Sequence, residues 1–434
     1  MNGKDDENGR ALYRARFPDL VDIVDDDGAL GYLFLTGGRL VVTQHASLDG
    51  RVYRPPSRQQ LPWRLARADR VLDAYEGDND AALFEDLVEY HRAISQLPSE
   101  DHYVLLAAWT AHTYLQERWQ YSPILCLYAV PERGKTRTGR GIVSAAYRGI
   151  ETETLREAAI FRWAENLGAA IFFDVHDLWR RAERVGGDDI LLKRYERGAT
   201  VMRVLSPGKG PFEDSRYFQV YGPTVIATNE PVHKILDTRC VTITMSQADG
   251  RYFDNIQPDD GLALRERLLA FRARHLEAAL PDFHKPAPGR LGDILQPLGV
   301  VVRVMSPTHQ DALLHVVDGF QARRLTEKSS TLEARIILAV DSLTPKVRGG
   351  RLLVKDVAAR INQGRPERTH LSEERLGPAL AALGFEKKRT RSGMAIIHDD
   401  EKLAVLKRDY GLAEAQEESS GILTRVGQLV RGQR

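Results

Sequence analysis

The residues best placed to do chemistry lie between Tyr121 and Thr136, in YSPILCLYAVPERGKT. A short apolar run turns into Pro131, Glu132, Arg133, Gly134, Lys135 and Thr136, and a helix-forming segment follows. A strand that delivers a tight loop to the start of a helix aims backbone N–H groups at an anion, and a phosphate chain is the ligand that suits them. Gly134 would let the backbone come close. Lys135 would reach the β- and γ-phosphates as a point charge, and the Thr136 hydroxyl would sit on Mg²⁺. The expected ligands are therefore ATP and Mg²⁺. The match to the P-loop pattern GxxxxGK[ST] is degenerate, because Ala129 stands where the first Gly belongs. A loop with negative φ at that position tolerates Ala.

Two further apolar runs end in residues that such a site needs. Residues 169–173, AAIFF, precede Asp174, a carboxylate able to hold Mg²⁺ through water. Residues 224–227, TVIA, precede Thr228 and Asn229, whose amide could orient an attacking water. Parallel strands of a doubly wound sheet present ligand-binding residues at their carboxyl ends. The fold class expected is α/β, with a P-loop and nucleotide hydrolysis.

At 434 residues the chain exceeds one ordinary core, and two or three domains are expected. Hydrophobic residues make up 43% and charged residues 28%, the balance of a soluble globular protein. Lys and Arg number 61 against 60 Asp and Glu, so any nucleic-acid contact must come from local patches. Cys126 and Cys240 are too few for a disulfide framework, which fits a reducing cytoplasm. The polar start MNGKDDENGR is no signal peptide, and no run approaches the ~18 apolar residues of a membrane span. The twelve histidines show no ligand spacing, so no metal beyond Mg²⁺ is expected.

Around this core the sequence predicts six regions. Residues 1–62 read as a β-rich region, with residues 30–35 and 40–43 as strands of a small meander. Residues 63–120 turn helical, through Leu83, Leu87, Tyr90 and Ile94 and then Tyr103, Leu106, Trp109 and Tyr114. Aromatic residues at that spacing read as a core face rather than as base-stacking groups. Residues 121–260 form the nucleotide core, including two strand-like runs, 200–205 and 216–221, around a Pro/Gly-rich tip with Lys209. Residues 261–328 are expected to be a helical lid, and residues 329–412 three helices followed by a two-stranded wing, a helix-turn-helix variant. Lys387, Lys388, Arg389 and Arg391 give the wing a basic arm. Residues 413–434 read as a mobile tail.

With the pieces in this order, the sequence resembles the AAA+ ATPases that phages and integrative elements carry as replication proteins, which are similar to MCM-type and superfamily-3-type hexameric helicases. The resemblance covers about Asp101 to Ile397 and is weak in the β-rich region. It implies a Walker A motif at Pro131 to Thr136, a Walker B strand ending at Asp174, sensor 1 at Asn229 and a pre-sensor-1 hairpin tipped by Lys209. It also implies Arg239 as an arginine finger offered to the neighbouring subunit, and Arg290 as sensor 2. One departure bears on chemistry: the acidic residue that normally follows the Walker B Asp is Val175 here. Either Asp177 or Glu132 stands in for it, or hydrolysis is slow, or ATP mainly holds subunits together. His176 suits the role least, since an unperturbed imidazole is only partly basic at neutral pH.

The expected function is an ATP-dependent DNA translocase or helicase. It would form a ring, a hexamer by the resemblance, with single-stranded DNA in a central channel and duplex met by the winged helix. The alternatives are an ATP-gated DNA-binding initiator with weak hydrolysis, and a protein-remodelling AAA+ ATPase.

Overall fold

The computed structural model describes residues 11–175, 177–210, 212–246, 252 and 254–412. The chain divides into two compact units, Met1–Val317 and Asp318–Arg434. The expected mobile tail lies outside the described residues.

The first unit is built on a five-stranded sheet. In chain order its strands are Ile124–Tyr128, Ile150–Thr152, Ile171–Asp174, Thr224–Thr228 and Cys240–Thr244. In space the fifth strand lies at one edge, followed by the first, fourth, third and second, all parallel. The near-continuous apolar runs follow from burial of both faces of a parallel sheet. The strand before Asn229 lies between the P-loop strand and the Asp174 strand. Ala227 pairs with Leu127 on one side and with Asp174 on the other. That register brings all three chemistry-bearing strand ends to one edge. The five-stranded parallel sheet with its flanking helices is the α/β core expected.

The helix Lys135–Ala145 lies between this sheet and helix Asp80–Ile94, and one glycine on each side lets it approach. A Cβ on Gly139 would fall 2.2 Å from Cζ of Phe172, and one on Gly141 would fall 2.1 Å from Cδ1 of Ile94. In helix Asp101–Thr113 every residue from Tyr103 onward is buried, and Trp109 Nε1 donates to the Pro123 carbonyl at 2.9 Å. Its aromatic residues are core.

The β-rich region differs from the single meander expected. Leu20–Asp26, Ala29–Thr36 and Arg39–Thr43 form one antiparallel sheet. Leu12–Tyr13, Ala46–Leu48 and Arg51–Arg54 form a second, in which the first strand runs parallel to the last. A parallel pairing between residues about forty positions apart leaves no local turn signal.

The segment expected as a lid is helical, with helices Leu262–His275, Gly289–Met305 and Gln310–Ser329. The first packs on helix Ala68–Gly77 and on the P-loop helix, and the second on helix Asp101–Thr113. Most of this segment thus belongs to the body of the first unit.

The second unit holds helices Leu332–Ser342, Val354–Asn362, Glu373–Ala382 and Asp400–Asp409 around one apolar core. The side chain of Ser372 caps the third of these helices through the Arg375 N–H. Arg351–Leu353, Gly393–Ile397 and Lys387–Thr390 make an antiparallel sheet with the middle strand central. The first of these strands and the last helix are additions to the sequence reading. Among the described residues no helix is long and apolar enough to cross a membrane.

Candidate functional site

The loop after Tyr128 is set by backbone geometry. Ala129 N–H donates to the Thr228 carbonyl at 3.3 Å, which seats the loop on the neighbouring strand end. Its left-handed residues are Glu132 (φ 62°) and Gly134 (φ 76°), with Ala129 outside that region. The missing first Gly therefore creates no strain. Gly134 caps helix Lys135–Ala145, so the N–H groups of that helix start open onto the loop, with Pro131 and Glu132 exposed at its rim.

Thr136 Oγ1 donates to Asp174 Oδ2 at 2.7 Å, bringing together the two groups expected to share Mg²⁺. A hydroxyl and a carboxylate side by side form a hard-oxygen donor pair that fits a small divalent cation. Lys135 Nζ donates to the carbonyls of Ala129 (3.0 Å) and Val130 (2.9 Å). Burial lowers the Lys135 pKa, and the Asp174 charge works against that shift. A cleft of about 380 Å³ runs beside the loop, lined by Glu132, Arg133, Lys135, Thr136, Tyr252 and Asn255 among others. Tyr252, whose ring lies 5.5 Å from the Arg137 guanidinium, and Asn255 were not anticipated. No periodicity or motif marks that segment.

Asn229 follows Thr228, which pairs with Tyr128 at the same edge of the sheet. Val175 is only 1% exposed and packs into the core. The two expected carboxylate substitutes lie apart. Glu132 lines the loop cleft, and Asp177 stands exposed at the start of helix Leu178–Val185 with φ 52°. Asp177 shares a second cleft with Thr228 and Glu230, and Glu230 is a carboxylate that the sequence reading passed over. His176 lies outside the described residues.

Arg239 sits at the opposite end of the sheet. Its carbonyl accepts from Ile124 N–H at 3.2 Å, at the start of the P-loop strand, whereas the P-loop leaves from that strand's finish. The Arg239 guanidinium donates to the Ile235 carbonyl and lies 5.1 Å from the Tyr195 ring centroid. Arg290, expected as sensor 2, lies beside it. Its Nη1 donates to Thr238 Oγ1 at 2.8 Å, and its guanidinium lies 5.8 Å from the same ring. Packing of helix Gly289–Met305 directs Arg290 to the far end of the sheet, away from Lys135 of its own chain.

The run around Lys209 is a hairpin, Thr200–Val204 paired with Ser215–Gln219, with Lys209 exposed at the turn. Arg203, one pair from the turn end of the ladder, ties the hairpin to Glu157 (2.6 Å) and Asp189 (3.1 Å). Beside Lys209 the tip exposes Phe212, 95% accessible with φ 76°. The sequence reading singled out the lysine and missed the aromatic residue. In the second unit Lys387, Lys388, Arg389 and Arg391 are all exposed, and none forms an ion pair among the described residues.

No protein-family model matches the sequence, and no curated protein matches it. Among solved structures, the chain is similar to the apo A form of the NrS-1 C-terminal region, at 10% identity over 87% of this chain and 96% of that one, TM-score 0.35. It is also similar to SCCmec type IV Cch, an active helicase, at 13% identity over 86% and 79%, TM-score 0.35. A full-length MCM homologue from Methanopyrus kandleri matches at 13% identity over 69% and 75%, TM-score 0.38. Superpositions at such TM-scores leave function to be read from the site itself.

Proposed function

We propose that the chain is an ATP-hydrolysing AAA+ protein of the helicase or translocase kind, acting on DNA in the replication of a phage or mobile element. The observation that carries the nucleotide site is the 2.7 Å contact between Thr136 and Asp174 beside Lys135, at the shared edge of three parallel strands. Thr136 and Asp174 would hold Mg²⁺. When bound, that ion neutralises charge on the β- and γ-phosphate oxygens. Lys135 exchanges two loop carbonyls for phosphate oxygens, and the helix N-terminus supplies N–H donors to the same chain. Asn229 orients water, and Asp177 takes its proton. Arg239, turned away from its own P-loop, completes a neighbour's site, with Arg290 beside it. These trans roles imply a closed ring, a hexamer by the resemblance.

The Lys209 hairpin would track single-stranded DNA in the channel. Lys209 meets phosphate and Phe212 offers a stacking face. The second unit would act as a winged helix whose Lys387, Lys388, Arg389 and Arg391 meet duplex phosphates.

Two observations favour other readings. The burial of Val175 favours an ATP-gated initiator that hydrolyses weakly. The exposure of Phe212 favours a remodeller of protein substrates, although the adjacent Lys209 suits a polyanion better. The deciding experiment is steady-state ATP hydrolysis with and without single-stranded DNA, alongside Lys135→Ala. We expect turnover to rise with DNA and to fall at least ~100-fold in the variant. ATP binding without turnover would move the assignment to the initiator. Turnover indifferent to DNA would move it to the remodeller.

A further inference from the structure

The first unit contains a second cluster of cations, at the end of the sheet away from the P-loop. Arg148 stands two residues before the strand Ile150–Thr152, and Glu165 lies ahead of the strand Ile171–Asp174. Together with Arg14, Arg16, Phe17 and Arg272 they line a cavity of about 300 Å³, at the small end of the range for small-molecule sites. Arg148 and Arg272 are each 1% exposed. Arg272 is satisfied by both oxygens of Glu117 and by the Leu20 and Val21 carbonyls. Arg148 bonds Asp22 at 2.7 Å and the Leu167 carbonyl at 2.7 Å, yet its buried Nη2 has no hydrogen-bond partner among the described residues. Buried polar groups left in that condition are rare and call for a ligand or a strain role. Arg148 also holds a left-handed backbone, φ 48°, uncommon for a residue with a long side chain.

Arg16 adds to the concentration of positive charge. Its Nη1 donates to the Ala164 and Glu165 carbonyls at 3.1 and 3.2 Å. Its guanidinium also lies against Gly168, where a Cβ would come within 3.1 Å of Nε. Burial lowers the Arg16 pKa, and the neighbouring Arg148 and Arg272 add to that shift against the opposing charge of Glu117. An anion would relieve the crowding among the guanidinium groups. One carboxylate oxygen, Glu165 Oε2, is likewise buried without a partner, so the wall also offers an acceptor for a ligand hydroxyl.

We propose that this cavity binds a phosphate monoester of nucleotide size. The phosphate would meet the Arg14 and Arg16 guanidinium groups, with the buried Arg148 charge behind them, and a sugar hydroxyl would meet the Glu165 side of the wall. A free mononucleotide and the 5′-terminal phosphate of a DNA strand share this chemistry. The site stands apart from the P-loop and does not depend on its assignment.

The test uses the full chain carrying Lys135→Ala, which removes the P-loop cation, titrated with AMP by calorimetry. We expect one equivalent of AMP to bind, adenosine not to bind, and Arg16→Gln to weaken AMP by about tenfold, the loss of a charge-assisted bond. Arg14 lies exposed at the rim, so Arg14→Gln repeats the test without threatening the fold. Displacement of AMP by a 5′-phosphorylated dT hexamer would assign the site to strand ends, and failure to displace it would assign the site to free nucleotide. Three results would overturn the proposal: no AMP binding, AMP binding unchanged by both arginine variants, or displacement by the unphosphorylated hexamer as strong as by the phosphorylated one.

Discussion

At the residue scale, the proposed hydrolysis leaves one chemical question, which group accepts the proton of the attacking water. Val175 cannot, being apolar and packed into the core. Asp177 is exposed three residues beyond Asp174, with a left-handed backbone that turns the chain where a strand gives way to a helix. We predict that Asp177→Asn lowers kcat about 100-fold, the usual contribution of a positioned general base, while ATP affinity changes little. Glu230→Gln in the same cleft should retain most turnover. The opposite ranking in single-turnover assays would transfer the role to Glu230. Lys135, Thr136, Asp174 and Asn229 were legible in the sequence because each ends or follows a local apolar run. Arg290 was not, because its address depends on how helix Gly289–Met305 packs, which residues near position 290 do not encode.

At the element scale, a close fit in the core is that of the P-loop helix on the Asp174 strand. Gly→Ala inside a helix ordinarily gains ~1 kcal/mol from propensity. At Gly139 the new methyl would sit 2.2 Å from the Phe172 ring, so the ring or the helix must move. We therefore expect Gly139→Ala to destabilise the fold by about 1–3 kcal/mol in urea unfolding, with Phe172→Leu in the same chain recovering part of the loss. A stabilised Gly139→Ala protein would mean that the contact is looser than described. The core strands and the hairpin could be read from periodicity and turn residues. The parallel pairing of Leu12–Tyr13 with Arg51–Arg54 could not, because its partners are distant in sequence. Helix Asp400–Asp409 also escaped notice, even though the Asp399 side chain caps it through the Lys402 N–H.

At the scale of the whole molecule, acid should weaken the larger unit. Burial lowers the pKa of both His91 and His112 to about 3. Both stay neutral in the folded protein, whereas in the unfolded chain they protonate at about 6.5. Stability is therefore full above that value. As pH falls from there toward 3 it is lost, at up to about 1.4 kcal/mol per histidine per unit. All five tryptophans lie within Met1–Val317, so their fluorescence follows this unit alone. The urea midpoint measured that way should drop between pH 7.5 and 5.5, and an unchanged midpoint would place the histidines in contact with water.

The separation of Lys135 and Arg239 to opposite ends of one strand has a consequence for counting. On the proposed reading, each subunit supplies the phosphate half of one site and the guanidinium half of another. An open row of n such subunits holds n − 1 finished sites and leaves two idle halves at its tips. Closing the row adds one more site without adding a subunit. Closure is then rewarded by the catalytic geometry itself, and a strand of DNA threaded through the gap would be enclosed by the same step that brings the last site into use.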